Sequence, residues 1–408
     1  MKRFFAVLTA AFALCALLSL STFAADRVLN VYNWGEYISD GSEGSLDVNA
    51  EFEKWYAETY GETVKVVYTT YASNEDLYAK LKSGAAGYDV ILPSDYMIAR
   101  MIDEGMLEKL NFDNIPNYAG ISENFRGLYY DANNEYSVPF SYGMVGIIYD
   151  TTVVDEADTG TWDLMWNEKY KGKILQFNNS RDAFGTAMYR AGIDVNTTDA
   201  AQWQVALDAL KAQKPILQGY VMDEVFNKME GGEAAVAAYY AGDYLSMVEN
   251  NENLGFYYPT DKDGRFATNL FVDAYCIPKG AANKDLAEAY INFSLSEEIA
   301  VANAEVVCYA SPNAAVYESE TYREDMGDEA MEILYPADFD FGANYNKMSY
   351  HNLDAETLNT INTLWEELML DGGMGAAVYI IAAVIVAAIV VFVIYRKTVQ
   401  KKREKMYE

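Results

Sequence analysis

A chain of 408 residues with 51% hydrophobic composition is long enough to enclose two large α/β cores. Its formal charge of −31 excludes nucleic acid and anionic lipid as electrostatic partners and favours cationic solutes at long range. A single histidine, His351, excludes histidine-rich metal sites and leaves one imidazole as a candidate general base.

The first 25 residues read as a secretory signal. Lys2 and Arg3 precede an apolar run, and small residues stand around Ala24 and Ala25. Cys15 lies inside that run after Leu14, which is not a lipoprotein pattern. Residues 27–31 then predict a first β-strand, followed by Tyr32-Asn33-Trp34-Gly35-Glu36-Tyr37. An aromatic face with a carboxylate beside it attracts an organic cation, and the C-terminal edge of a strand is where open α/β sheets bind ligands. The plainer reading is a Trp34 that closes the core, with Glu36 solvated; the hexapeptide alone leaves both open. Asp47 is placed to cap a helix carrying Phe52, Trp55 and Tyr56. A second strand follows at 64–68, and Ser73 to Asp76 have the form of a helix start. A third strand is predicted at 88–92 and a helix from Tyr96 to Gly105. The order βαβαβα predicts a parallel sheet covered on both faces.

Further along, Trp162 and Trp166 read as core residues. Asp261, Asp263 and Gly264 form a hairpin turn rather than a calcium loop, because no bidentate glutamate stands at the required spacing. Cys276 and Cys308 read as two buried thiols, with a disulfide left open. A helix from Asp354 carries Leu358, Ile361, Leu364, Trp365 and Leu368 on one face. Residues 374–395 are uncharged and long enough for one membrane span, and the basic tail at 396–408 predicts a cytoplasmic C-terminus. There is no G-x-S-x-G, P-loop or C-x-x-C, so no catalytic machinery is legible.

Several fragments stand in register with one known family. They are Tyr32–Tyr37, Ser73-Asn74-Glu75, Tyr88 to Tyr96, Asn134 to Gly143, Thr161 to Gly172, Val272-Asp273 and Tyr309 to Asn313. In these the chain resembles the spermidine/putrescine-binding proteins of ABC importers, in the extracellular solute-binding class. The resemblance implies an α/β, type II periplasmic-binding-protein fold with crossing hinge strands, and one C-terminal transmembrane helix is expected in addition. Lobe one is expected at 26–139, completed by 273–312. Lobe two is expected at 140–270, completed by 313–370, with the linker and span at 371–395. The implied role is an extracellular receptor that takes a polyamine in an interlobe cleft and delivers it to the permease, without a cofactor or metal; the span expected at 374–395 would anchor it to the membrane.

The implied ligand contacts are Trp34, Glu36, Tyr37, Ser94, Tyr96, Arg181, Asp182, Tyr240, Phe271, Asp273 and Tyr309. Asn179 stands where spermidine binders carry an aspartate. Tyr240-Ala241-Gly242-Asp243 resembles the putrescine-preferring branch, which adds Asp243 to the set. Two alternatives compete. Tyr239-Tyr240 fits a ferric-ion receptor of the same fold, and an enzyme or a structural ectodomain is the third reading.

Overall fold

The computed structural model describes residues 27–84, 87–261, 263–337 and 339–370. The expected signal, the linker and span at 371–395 and the basic tail lie outside these residues. Among the described residues no helix is long and apolar enough to cross a membrane.

The chain forms two compact units. Unit 1 holds the described residues up to Gly143, Ala241–Ser246 and Leu270–Ser349; unit 2 holds Met144–Tyr240, Met247–Asn269 and the described residues from Tyr350.

Unit 1 opens with β1 (Arg27–Trp34), α1 (Val48–Tyr60), β2 (Val64–Tyr71), α2 (Asn74–Lys82), β3 (Val90–Ile91) and α3 (Asp95–Asp103). Local chemistry explains the punctuation. The Asp47 side chain accepts from the Ala50 amide, Val48, Phe52 and Tyr56 recur at a spacing of four and are buried, and Gly61 ends α1 in the left-handed region. Ser73 caps α2 by accepting from the Asp76 amide. β1 lies between β2 and β3, parallel to both, and β3 pairs antiparallel with a later strand, β9 (Leu270–Cys276). The predicted third strand at 88–92 is shorter than expected. The Asp89 carboxylate takes the Asn30 amide at 3.0 Å, where a strand would offer a carbonyl.

The chain leaves unit 1 within β4 (Ser137–Asp150). Unit 2 continues with β5 (Ile174–Phe177), α4 (Ser180–Ala191), α5 (Ala200–Gln213), β6 (Leu217–Val221), α6 (Glu224–Glu230) and β7 (Val236–Tyr240). After α7 (Ala241–Asn250), β8 (Leu254–Tyr257) returns to it. β5 runs parallel to β6 and β7, and β4 runs antiparallel to β7 and β8. Trp162 is buried as expected, and its indole donates to the Ala267 carbonyl.

β9 is followed in unit 1 by α8 (Lys284–Ser294), α9 (Glu297–Val307), α10 (Ala314–Glu318), α11 (Glu320–Leu334) and α12 (Phe341–Met348), and α13 (Ala355–Leu370) joins unit 2. Two assignments differ from the sequence reading. Residues 313–349 cluster with unit 1, so the last crossing falls after Ser349 rather than near Ser311 to Asn313. Side-chain packing is the reason: Tyr322 and Val316 pack with Ala300 and Ala304, and Tyr345 reaches Asp95. Residues 241–246 also belong to unit 1. On α13, Ile361, Leu364 and Leu368 are buried, as their spacing predicted. Cys276 and Cys308 are both buried and free.

Candidate ligand-binding site

The expected contact residues gather into one cluster in each unit. In unit 1 they sit beyond the C-terminal ends of parallel strands, where backbone amides and strand-end side chains are exposed to a ligand. Trp34 ends β1. Its indole donates to the Leu92 carbonyl at 2.9 Å, and its ring lies 4.6 Å from Tyr71, which ends β2 directly alongside. Tyr71 fixes the same carbonyl at 2.7 Å. Glu36 follows in the left-handed region, φ 49°, and is exposed.

The centre of this cluster is a tyrosine–carboxylate pair. Tyr37 donates from its hydroxyl to Asp273 Oδ2 at 2.7 Å and is also hydrogen-bonded to Ser141 Oγ. Burial pushes the Tyr37 phenol well above its ordinary range, and the Asp273 charge adds to the shift. Its proton therefore stays on the tyrosine, which is a neutral donor to a buried acid. Aromatic rings close round the pair. Tyr309 lies 5.3 Å from Tyr37 and 6.0 Å from Phe271.

Two glycines make room for those rings. A Cβ on Gly143 would come within 3.0 Å of Phe271, and one on Gly242 within 2.2 Å of the Tyr309 ring. Asp243, in the first turn of α7, is half-buried and adds its charge at Tyr37. Ser94 stands at the N-cap position of α3 without a side-chain capping bond, donates its amide to Asn74 and pairs with Asp273 in an isolated antiparallel bridge. Tyr96 donates to Glu75 at 3.0 Å.

In unit 2 the centre is Asp182, in the first turn of α4. Tyr240, at the end of β7, donates its hydroxyl to Asp182 Oδ2 at 2.8 Å, and the Asn179 amide donates to the same oxygen at 2.8 Å. Asn179 also caps the helix by accepting from the Asp182 amide at 2.9 Å. An aspartate at 179 would put a second negative charge against Asp182, whereas asparagine supplies a donor. Burial raises the Asp182 carboxyl above its ordinary range; Tyr240, Asn179, Tyr350 and the Arg181 charge pull it back. Arg181 itself is buried. Its guanidinium lies 4.5 Å over the Tyr350 ring and reaches the Val195 carbonyl and the Asn196 side chain. A Cβ on Gly185 would meet the Tyr350 hydroxyl at 2.1 Å, so that glycine admits Tyr350 to the Asp182 environment.

Sequence reasoning missed Ser141, Tyr71, Asn74 and Tyr350. Tyr71 was accessible in principle, as the residue ending the strand beside Trp34. Tyr350 carries no local signal, being in an irregular segment whose position depends on α12 and α13. Among the described residues, no group of three or more His, Cys, Asp or Glu side chains could hold a metal ion.

The arrangement of the sheets is that of the α/β periplasmic-binding-protein fold. Residues 49–329 match the family described as bacterial extracellular solute-binding protein. The spermidine/putrescine-binding periplasmic protein of Escherichia coli (strain K12) is 31% identical over 316 residues, covering 77% of this chain and 86% of that protein. A putrescine-binding periplasmic protein of Pseudomonas aeruginosa (strain UCBPP-PA14) is 28% identical, over 90% of this chain and 99% of that one. Among solved structures, the spermidine/putrescine ABC transporter substrate-binding protein of Streptococcus pneumoniae strain Canada MDR_19A shares 31% identity. It covers 85% of this chain and 99% of that one, with a TM-score of 0.64. The chain belongs to the bacterial extracellular solute-binding proteins, as its motifs implied. It is a solute-binding protein and not an enzyme.

Proposed function

We propose that this protein is a polyamine receptor of an ABC importer, taking putrescine or spermidine and passing it to the permease. The observation that carries the reading is the support of the two central acids. Asp273 is buried against Tyr37, and Asp182 against Tyr240 and Asn179, so hydroxyl and amide donors orient each carboxylate. A polyamine has ammonium groups separated by methylenes, and it needs carboxylates for the first and aromatic walls for the second. Asp273 and Asp182 supply the acids, with Glu36 and Asp243 as further candidates. Trp34, Tyr96, Tyr240, Phe271 and Tyr309 supply the walls, and Tyr37, Ser94 and Arg181 support them. The two units act as the lobes of the receptor. The segment at 374–395 tethers it to the membrane with the lobes outside and the tail at 396–408 in the cytoplasm. Against ferric ion, Tyr240 uses its hydroxyl as a donor to Asp182 rather than as a phenolate ligand.

Calorimetric titration of the detergent-solubilised chain with putrescine, cadaverine, spermidine and spermine tests the reading. Saturable heat with at least one of them is expected. No binding of any of the four overturns it.

A further inference from the structure

Asp95 has no task in the receptor reading, yet it is buried beside the site at 1% exposure. Its Oδ2 accepts from the Tyr345 hydroxyl of α12 at 2.7 Å and from the Val272 amide of β9 at 3.3 Å. Its Oδ1 accepts from the Tyr96 amide at 2.7 Å. The carboxyl thus grips the strand one residue before Asp273, and its neighbour Ser94 bridges to Asp273 itself. The titratable groups facing it are Asp273 from β9, Tyr345 from α12 and Tyr130 from the turn at 129–131. Beside Tyr130, Asp131 is occupied by the amides of Glu135, Tyr136 and Ser137. From α2, Glu75 is held by the Tyr96 hydroxyl. None of these groups is a cation. Two carboxyls in one apolar neighbourhood do not both ionise without a large penalty.

We propose that Asp95 is a positioning residue and proton partner of Asp273: it carries a proton in the amine-free protein, and an ammonium arriving at Asp273 drives that proton to solvent. This rests on the reading that Asp273 receives an ammonium. In the step the Asp95 Oδ2–H bond, which in the protonated state is directed at the Tyr345 oxygen, breaks; its electrons stay on the carboxylate, the Tyr345 hydroxyl turns to donate to it, and the proton goes to the buffer. The ammonium keeps its own protons. Burial supports the protonated starting state by pushing the Asp95 carboxyl up to about 8. The Asp273 charge adds to this, while the Tyr345 hydroxyl and the Tyr96 amide pull it back. Amine binding therefore tightens as pH rises. A nearby cation lowers a carboxyl by about one unit or more, which makes the gain roughly three- to tenfold between about pH 6.5 and 8.5.

The test is calorimetry of the full chain with putrescine at about pH 7.5, in two buffers of unlike ionisation enthalpy. Alkylammonium groups titrate near 10, so putrescine itself exchanges few protons there. About half a proton or more is expected to pass to the buffer per putrescine bound. Asp95→Asn should reduce the release to whatever Asp182 contributes and flatten the pH dependence of Kd. Tyr345→Phe keeps the acid but removes a donor to its ionised form, so the midpoint of release should move to higher pH. That shift and the wild-type buffer comparison decide the matter even if Asp95→Asn does not fold. Putrescine binding with no proton exchange across that range, or equal release from Asp95→Asn and wild type, overturns the inference. Absence of any amine binding overturns the receptor reading first, and this inference with it.

Discussion

Replacing Asp273 by asparagine separates the work of its charge from that of its shape. Asparagine keeps an oxygen for the Tyr37 hydroxyl, now 2.7 Å from Oδ2, and leaves the Ser141 contact in place. What disappears is the charge offered to an ammonium. A hydrogen bond to a charged group contributes about 1.5–3 kcal/mol, so affinity should fall roughly 10- to 150-fold. Stability should barely change, because removing a buried charge offsets any weakening of the Tyr37 bond. Tyr37→Phe makes the opposite perturbation. It leaves the carboxylate charged and buried without that donor, at a cost of about 1–3 kcal/mol in stability, while the ammonium still finds its anion. The two variants should therefore cross: Asp273→Asn weaker in binding, Tyr37→Phe weaker in folding. Calorimetric Kd for putrescine and spermidine, beside midpoints of denaturant unfolding, gives both rankings. Equal Kd for Asp273→Asn and wild type, or the reverse ranking in both assays, refutes the assignment of Asp273 as the ammonium partner.

Asp182→Asn should weaken binding by a similar factor, and Asp243→Asn should do so only if the site is of the putrescine-preferring kind; Kd values for the diamine and the triamine tell the two apart. With Asp95 protonated as proposed, burial holds its carboxyl up at about 8 in the native state against near 4 in the unfolded chain, so native protein binds more protons between those values. Stability from this group is full below about pH 4 and falls by up to about 1.4 kcal/mol per pH unit as pH rises towards 8; Asp95→Asn should flatten that slope in unfolding curves, and an unchanged slope would count against it. Gly242→Ala should destabilise by about 1–3 kcal/mol in thermal unfolding and weaken amine binding, because the new methyl meets the Tyr309 ring at 2.2 Å. Full-length protein should remain with washed membranes while external protease removes its bulk; a freely soluble mature protein would exclude the tether at 374–395.

The first half of unit 1 was readable because its signals are local. Asp47 and Ser73 cap helices, and Gly61 and Gly84 stop them in the left-handed region. The site was readable where a strand end carries its own chemistry, as at Trp34 and Tyr240. Placement that depends on distant partners was not readable. Asp95 has the look of an ordinary first-turn acid favoured by the helix dipole. Its burial is decided by Tyr345, 250 residues away. The same contact draws residues 313–349 into unit 1, which no periodicity within that segment announces. Asn179 shows the converse case: its departure from the family pattern was visible, but its double role as helix cap and donor to Asp182 needed the geometry.

Asp273 and Asp182 are each held by a phenol, from Tyr37 and Tyr240. A guanidinium in those places would have cancelled the acid it touched, whereas a phenol orients a carboxylate and leaves its charge standing. Where the acid is ionised, the amine-free receptor behaves like a small cation exchanger, with counter-charge drawn from its medium. Primary-amine buffers such as Tris, and alkali cations at high concentration, then compete with the cargo. Affinities measured in amine buffers should come out systematically weaker than those measured in phosphate at the same pH and ionic strength.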